Sequence, residues 1–566
     1  MVLRPLLRRI RRLAVLAAAL PAAALAQATT GVGDDAVPIP AHGSRIRIGG
    51  LWSNYDSRFA PSADGSSKKG GLFDGFARDN LGVSDLPVLG PAETNIRSLS
   101  GLGTGFQLSL GKLEARGDVS KSITPLQIEY GITNRLSVSV LVPYVETTSN
   151  NRFTLNRGGA GATVGQNPAR LTPDNSSRTA NNAVATQIEA SRALLAAEIA
   201  RCGSAAATGG GCTAIRANPS AAQALLSQAA SFKTQMSALY GTSAAAGSPV
   251  VPIASSPAQK AIETQLLALR TSFITFSSNG LDSTSKPIGA TVIYGTGGLT
   301  TIVRDTAFGL AYDTLMNGGR AGIGDVEVSA TFLLLNTLGG SQSNRLNVSK
   351  KALRSSVTGG WRFGTATGGR SGNPLDLPTG DGANALLVRS TTDFIWNRRF
   401  WISGTVRYAK PLTDNVVTRF PMTSDSSLFR PSTVSAAERT LGAMAEFEVA
   451  PRLGIGRSFG LSAAYAVAHR APSTLDPIVF VDPLAIPAQN STRTVPVAYS
   501  TIAVTAQTLQ FGASYSTLNG FMRGKSRWPL EIIYSHGLTL AGSGGVVPAN
   551  IFDRIELRIY TRFPRR

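Results

Sequence analysis

Apolar and polar residues alternate with a period of two along much of the chain, and the C-terminal stretch RIELRIYTRF (554–563) shows the pattern plainly. Ile555 and Leu557 fall on one face, and Arg554 and Glu556 fall on the other. Because successive side chains of a strand point to opposite faces, this period predicts a strand. Such a strand suits a soluble sandwich, and it equally suits a membrane barrel whose apolar face meets lipid and whose charged face lines the lumen.

The same alternation predicts further strands from about residue 103 onward. In SITPLQIEYG (122–131), Leu126 and Ile128 oppose Gln127 and Glu129, and a short turn leads into RLSVSVLVPY (135–144). The other candidate strands are GDVEVSATFLLL (324–335), SVTGGWRF (356–363), LVRSTTDFIW (387–396), FWISGTVRY (400–408) and segments near 437–449, 456–471, 499–517, 526–538 and 551–563. We therefore predict about twelve strands, within a range of roughly 10–14.

The connections between these strands alternate between long and short. Long connections are expected near 147–321, 366–382, 411–436, 472–498 and 539–550, and shorter ones near 132–134, 337–350, 397–399, 450–455 and 518–525. Outer-membrane barrels combine short periplasmic turns with longer external loops, whereas a solenoid or propeller would require a fixed repeat that we do not find. Aromatic residues near the strand ends predict interfacial girdles: Tyr130, Tyr144, Trp396, Trp401, Trp528, Tyr534 and Phe563. The predicted fold class is thus all-β, a transmembrane antiparallel up-and-down β-barrel whose last strand pairs with its first.

The first residues and the overall charge indicate export and an anionic partner. Arginines precede a short apolar run that ends in a small-x-small pattern, so residues 1–26 are predicted to be a signal peptide and not a membrane anchor, which needs about 20 apolar residues. The net charge of +21 favours lipopolysaccharide or an anionic solute as a partner. The arginines are scattered and not clustered, which argues against nucleic acid. The predicted location is the bacterial outer membrane, in contact with its lipid.

The chain is predicted to have four parts. The signal peptide precedes an irregular region, 27–102, with one strand-like patch at Ser44–Tyr55; the sequence leaves open whether this region enters the lumen. The barrel covers 103–566 and is interrupted at 147–321 by an extracellular insertion of three Ala-rich amphipathic helices, within NNAVATQIEASRALLAAEIARC, SAAQALLSQAASFKTQMSALY and SPAQKAIETQLLALRTSFITF. The insertion is expected to be a gate, a plug or a binding head, and a structural cap is the alternative.

The two cysteines, Cys202 and Cys212, are predicted to form a disulfide that joins the first two helices. A metal site would need more ligands, and no histidine lies near the pair in sequence, so neither a metal nor another cofactor is expected. Ser535 and His536 are neighbours on a strand and face opposite ways, and GxSxG and HExxH motifs do not occur. We therefore predict that the protein is not an enzyme.

The charged residues on the polar faces of the strands are the candidate lumen-lining set. They are Glu129, Asp325, Glu327, Arg362, Arg389, Asp393, Arg407, Glu446, Glu448, Glu531, Arg554, Glu556, Arg558 and Arg562. Such residues either line a solute path or pair across a narrow lumen and fill it, and about twelve strands leave a lumen that side chains can largely fill.

Two stretches resemble a known family. EYGITNRLSVSVLVPYV (129–145) and GIGDVEVSATF (322–332) are similar to the turn and strand signatures of a broad bacterial outer-membrane family labelled the phenol meta-degradation pathway family and described as transporter-like. The resemblance implies an outer-membrane barrel that passes small molecules, including aromatic or hydrophobic ones. The 147–321 insertion is longer than is expected for that family. Two functional hypotheses follow: a channel or transporter for small molecules, and a barrel anchor that displays a helical binding head.

Overall fold

The computed structural model describes residues 34–561 apart from 35, 62–66, 158–160, 172–175, 210, 277–283, 311, 314, 316, 339–350, 374, 398, 422–431 and 479–497. The predicted signal peptide, Arg562 and Phe563 lie outside the described residues. Within the described part of the chain, the helices are too short or too polar to span a membrane. The chain forms two compact units: Met1–Phe76 with Ala115–Arg152 and Tyr312–Arg566, and Ala77–Glu114 with Phe153–Ala311.

Strands dominate the first unit, and two short strands, Val164–Gln166 and Val250–Pro252, belong to the second unit. The strands are β1 Ser44–Tyr55, β2 Ser57–Pro61, β3 Ser67–Gly71, β4 Leu113–Gly131, β5 Leu136–Leu155, β6 Val164–Gln166, β7 Val250–Pro252, β8 Gly318–Ile323, β9 Val326–Asn336, β10 Ala352–Phe363, β11 Ala385–Ile395, β12 Phe400–Pro411, β13 Asp414–Pro421, β14 Ser432–Thr440, β15 Met444–Ile455, β16 Phe459–Arg470, β17 Thr474–Pro477, β18 Tyr499–Ser500, β19 Val504–Ser516, β20 Leu530–Ser543, β21 Val547–Pro548 and β22 Ile551–Thr561. Among the described residues, those outside the barrel sheet form three small sheets, β13-β14-β17-β18, β21-β2-β3 and β6-β7.

Twelve antiparallel strands close into a barrel. The sheet runs β4-β1-β22-β20-β19-β16-β15-β12-β11-β10-β9-β5, and the additional β4–β5 pairing completes the ring. β8 and β9 both pair with β5 and act as one strand interrupted at Gly324 and Asp325. The last strand pairs with the first, from Ser44↔Thr561 to Asn54↔Ile551, so no barrel edge is left unpaired. The predicted fold class is confirmed, and the strand-like patch of the N-terminal region proves to be β1.

The two faces of the barrel wall differ as the alternation predicts. On β22, Ile555 is 46% exposed on the outside, whereas Arg558 is 2% exposed on the inside. Exposed aromatic side chains lie near the short-turn end, as at Tyr130, and about eight residues further along the strands, as at Trp52. At about 3.3 Å per residue and a tilt of about 40°, eight residues span about 20 Å, close to the height of a membrane barrel's apolar band.

One predicted strand was misplaced. The expected strand at 437–449 joins the end of β14 to the start of β15, and the expected turn at 450–455 belongs to β15. β14 pairs with β13 and β17 outside the barrel sheet. Because a hairpin outside the barrel has the same period of two as a barrel strand, alternation alone could not separate them.

The second unit is helical. Its helices are α1 Gly90–Ser100, α2 Ser176–Cys202, α3 Cys212–Ala217, α4 Pro219–Tyr240, α5 Pro257–Phe276 and α6 Gly298–Arg304, while a further short helix, α7 Leu518–Met522, belongs to the barrel unit. The three predicted helices are therefore present as α2, α4 and α5. Helix α1, from the region predicted to be irregular, packs against α4 and α5 and buries Ile96 and Leu99. The predicted disulfide Cys202–Cys212 is also present and joins the end of α2 to the start of α3.

Candidate functional site

Two cross-strand pairs of arginines lie on the inside of the barrel. Within each pair, the two arginines are directly opposite each other on neighbouring strands. Arg47 of β1 is the direct partner of Arg558 of β22, and Arg389 of β11 is the direct partner of Arg407 of β12. These two strand pairs lie on opposite sides of the twelve-strand ring. Like charges directly opposite each other destabilise a sheet, so both positions require anions in the lumen.

The carboxylate of Asp34 lies between the two walls. Its Oδ1 is 2.9 Å from Arg47 Nη2 and 3.5 Å from Arg558 Nη2, and its Oδ2 is 3.6 Å from Arg389 Nη1. The Asp34 carbonyl oxygen also accepts a hydrogen bond from Arg452 Nη2. Asp34 precedes the first strand, so the lumen is bridged at this level by a segment that is not part of the barrel wall.

The electrostatic environment keeps Asp34 ionised. Burial alone would raise the pKa of Asp34, but the positive charges of Arg47, Arg389 and Arg558 outweigh it and hold this pKa well below its usual range, against a smaller opposing effect of Glu556. The segment is therefore held in the lumen by charge at neutral pH.

The segment after Asp34 also contacts the wall. The backbone N–H of Ala36 donates to Asp393 Oδ2 at 3.1 Å. At the short-turn end, Gly131 lies so close to the segment that an added Cβ would come within 2.1 Å of the Pro40 carbonyl oxygen and 2.5 Å of the Ile39 carbonyl oxygen. We call Asp34 with residues 36–40 the lumen segment, and Gly131 is the wall position that leaves room for it.

Most wall charges are neutralised by other wall residues. Glu556 Oε1 accepts from Arg47 Nε at 2.7 Å and from Arg558 Nε at 2.6 Å, and Arg407 pairs with Glu446 and Glu448. Further wall pairs among the described residues of this cluster are Arg45–Glu129, Arg47–Glu129, Arg354–Asp393, Arg554–Glu556 and Arg558–Glu531.

Arg389 differs from these wall arginines. Among the described residues its ion pair is with Asp34 of the lumen segment, at 3.6 Å. Its cross-strand partner Arg407, by contrast, has two carboxylates of the wall. The counter-ion of Arg389 is therefore supplied from outside the wall.

A cavity of about 200 Å³ adjoins the lumen segment on the side of the short turns. Its lining includes Val37 and Pro40 of the lumen segment and Arg452, Ile533 and Tyr560 of the barrel wall. The cavity thus combines apolar and aromatic surface with an arginine that also contacts Asp34.

The predicted lumen-lining residues fall into three groups. Those in or beside the charge cluster are Glu129, Arg389, Asp393, Arg407, Glu446, Glu448, Glu531, Arg554, Glu556 and Arg558. Arg362 and Glu327 form a separate pair at 2.6 Å. Asp325 instead accepts hydrogen bonds from the backbone N–H groups of Ala366, Asp381 and Gly382, so it anchors a loop. Arg562 lies outside the described residues.

Sequence reasoning missed Asp34, Arg45, Arg47 and Arg452. Arg45 and Arg47 alternate with apolar residues in SRIRIGG, the same signal that identified the C-terminal strand. Arg452 was assigned to a turn. Asp34 carries no periodic signal, because its partners come from strands that are distant in sequence.

The hydrolase alternative finds no support at Ser535 and His536. Ser535 is 1% exposed, on the inside, whereas His536 is on the outside, where its Nδ1 lies 2.9 Å from Asp553 Oδ1. The two side chains lie on opposite faces of β20, so they do not form a nucleophile–base pair.

Comparisons with known protein families and with curated proteins find no match. Among solved structures, an outer membrane channel from Pseudomonas putida F1 is 8% identical and covers 94% of this chain and 100% of its own, with a TM-score of 0.36. The Pseudomonas putida toluene transporter TodX is 10% identical over 92% of this chain and 88% of its own, with a TM-score of 0.26. The Ralstonia pickettii toluene transporter TbuX is 8% identical over 93% and 90%, with a TM-score of 0.27. TM-scores this low do not establish a shared fold.

Proposed function

We propose that this protein is an outer-membrane channel for small molecules, closed by its own lumen segment. The observation that carries the proposal is the placement of Asp34 between Arg47 and Arg558 on one wall and Arg389 on the other. A barrel that served only as an anchor would be filled most simply by its own wall residues. Here the closing element belongs to the chain before the first strand, so it can leave the lumen while every wall strand stays paired.

The location is inferred from the barrel wall, and the solutes are inferred from the sequence resemblance. Short connections lie at the end where β1 begins, which corresponds to the periplasmic side of outer-membrane barrels, and the apolar outer face meets lipid and lipopolysaccharide. The sequence resemblance to the phenol meta-degradation pathway family extends the proposal to aromatic or hydrophobic solutes. The 147–321 insertion, which begins within β5, would then be extracellular and would act as a gate, a plug or a binding head.

The alternative is a barrel that displays the helical unit as a binding head. The size of that unit, Ala77–Glu114 with Phe153–Ala311, favours it. It predicts a barrel that conducts no ions whatever is done to the lumen segment. A conductance measurement therefore separates the two functions.

The test is ion conductance of the refolded protein in planar bilayers, comparing the native sequence with Gly131→Ala. The new Cβ would overlap the Pro40 and Ile39 carbonyl oxygens, so we expect the segment to be displaced and conductance to rise. Gly359→Ala is the matched control, because a Cβ at Gly359 meets no atom within 4 Å.

A rise with Gly131→Ala alone supports a channel closed by the segment. Silence of all three proteins, with the barrel shown to be folded by heat-modifiable gel mobility, would contradict the channel and favour the anchor. An equal rise in both variants would contradict closure by the segment.

A further inference from the structure

Four arginines from four different strands converge on one residue of the lumen segment, Asp34. Arg47 of β1, Arg389 of β11 and Arg558 of β22 face the Asp34 side chain, and Arg452 of β15 donates to its carbonyl oxygen. Arg558, Arg47 and Arg452 are 2%, 6% and 6% exposed. The planar fork of a guanidinium matches the two oxygens of a carboxylate, so this is a preformed carboxylate site.

Asp34 fills the site incompletely. Among the described residues, its Oδ1 accepts a hydrogen bond from Arg47 Nη2 at 2.9 Å, whereas Arg558 Nη2 lies 3.5 Å from Oδ1 and Arg389 Nη1 lies 3.6 Å from Oδ2. Its Oδ2 is buried and accepts no hydrogen bond from the described residues. A free carboxylate that is not tethered to the backbone of the segment can approach these arginines more closely.

The site would be left unbalanced if the segment moved away. Glu556 would still neutralise Arg47 and Arg558, and Glu446 and Glu448 would still neutralise Arg407. Arg389 would lose its ion pair in the described part of the chain. The Arg389 side chain is 25% exposed, so its positive charge would then face the open lumen and attract an incoming anion.

We propose that small organic carboxylates bind this site in place of Asp34 and are solutes of the channel. The inference rests on the proposed function and narrows its substrate class. The adjoining cavity of about 200 Å³ shares Arg452 with the site and is lined by apolar and aromatic side chains such as Ile533 and Tyr560. It accommodates the apolar part of a carboxylate whose charged end lies against the arginines.

Asp34 acts in this scheme as a built-in competitor. A tethered group competes at an effective concentration of about millimolar or higher, so its removal should favour carboxylates over neutral solutes of the same shape. Asp34→Asn removes the charge and preserves the size of the side chain.

The experiment measures entry of radiolabelled benzoate and of benzamide, its neutral counterpart, into proteoliposomes. For Asp34→Asn we expect the benzoate-to-benzamide ratio to rise about 10-fold or more over the native protein. Adding Arg389→Gln should abolish most of that rise, because the site then lacks the arginine whose ion pair, among the described residues, is with Asp34. The control is Asp414→Asn, which breaks an ion pair with Arg439 outside the barrel sheet and should leave the ratio unchanged.

The outcomes separate this inference from the proposed function. If benzamide and chloride enter but the ratio does not change in Asp34→Asn, or if the Arg389→Gln double variant retains the full rise, carboxylate binding at this site is wrong and the channel stands. If no solute enters with any folded variant, the channel itself is wrong.

Discussion

Glu556 holds the arginines of β1 and β22 together, and its removal should cost more stability than the loss of any exposed ion pair. Its carboxylate accepts from Arg47 Nε at 2.7 Å and from Arg558 Nε at 2.6 Å, and it also pairs with Arg554. The side chain is 4% exposed. Glu556→Gln keeps the shape and removes the negative charge, which leaves three buried arginines with fewer counter-charges.

The expected loss is about 3–5 kcal/mol in the free energy of unfolding, which is typical when one partner of a buried ion pair is removed. Asp414→Asn provides the scale for comparison, because Asp414 and Arg439 form a partly exposed pair with side chains 24% and 12% exposed. Such a pair contributes about 1 kcal/mol or less.

The assay is urea unfolding in lipid vesicles, followed by tryptophan fluorescence. A loss below about 1 kcal/mol for Glu556→Gln, no larger than that for Asp414→Asn, would contradict a buried ion-pair role for Glu556. It would mean that water already solvates these arginines and that the lumen is not closed at their level.

Three further predictions concern pH, the helical unit and a loop of the barrel. The pKa of Asp34 is lowered in the folded protein, so the contribution of its charge to holding the lumen segment is complete above the unfolded pKa of about 3.9. That contribution is lost only as pH falls through the lower folded pKa. Single-channel recordings should therefore show no acid opening between about pH 8 and pH 4, and opening near pH 6 would contradict this assignment. Replacing Cys202 and Cys212 by serine opens a loop with a sequence separation of 10 residues and should lower the stability of the helical unit by about 2–3 kcal/mol. The loss should appear as faster amide hydrogen exchange in α2 and α3, with exchange in the barrel strands unchanged. An equal loss in both units would contradict this prediction. Asp325→Ala removes the acceptor of three backbone N–H groups and should expose residues 366–382 to proteolysis, with Asp414→Asn as the control; unchanged cleavage would show that the loop is held by other contacts.

The sequence predicts the barrel well because the wall obeys one local rule. Alternation places residues such as Ile555 outside and Arg558 inside, and the structure agrees. The rule is blind to which strands pair, so Ser44–Tyr55 could be recognised as strand-like without being assigned as the partner of the last strand. It is equally blind to hairpins outside the barrel, which is why β14 and β15 were merged.

The candidate site was only half predictable for the same reason. The alternation identified wall charges such as Glu556 and Arg389, because polar residues recur at every second position of their strands. Asp34 lies in an irregular segment, and its importance arises from strands brought together by closure of the ring. Asp325 was predicted from the same alternation, but the periodicity could not predict that its carboxylate accepts hydrogen bonds from backbone N–H groups of a loop.

Closure of the channel by the lumen segment can be tested by fixing this segment to the wall and recording conductance. The backbone N–H of Ala36 lies 3.1 Å from the Asp393 carboxylate, so cysteines at these two positions can be joined by a short bifunctional thiol reagent in a background carrying Gly131→Ala. We expect this protein to conduct ions before cross-linking and to stop conducting afterwards, while the Gly131→Ala protein without the new cysteines conducts before and after the reagent. Unchanged conductance after complete cross-linking would show that the lumen segment does not close the channel.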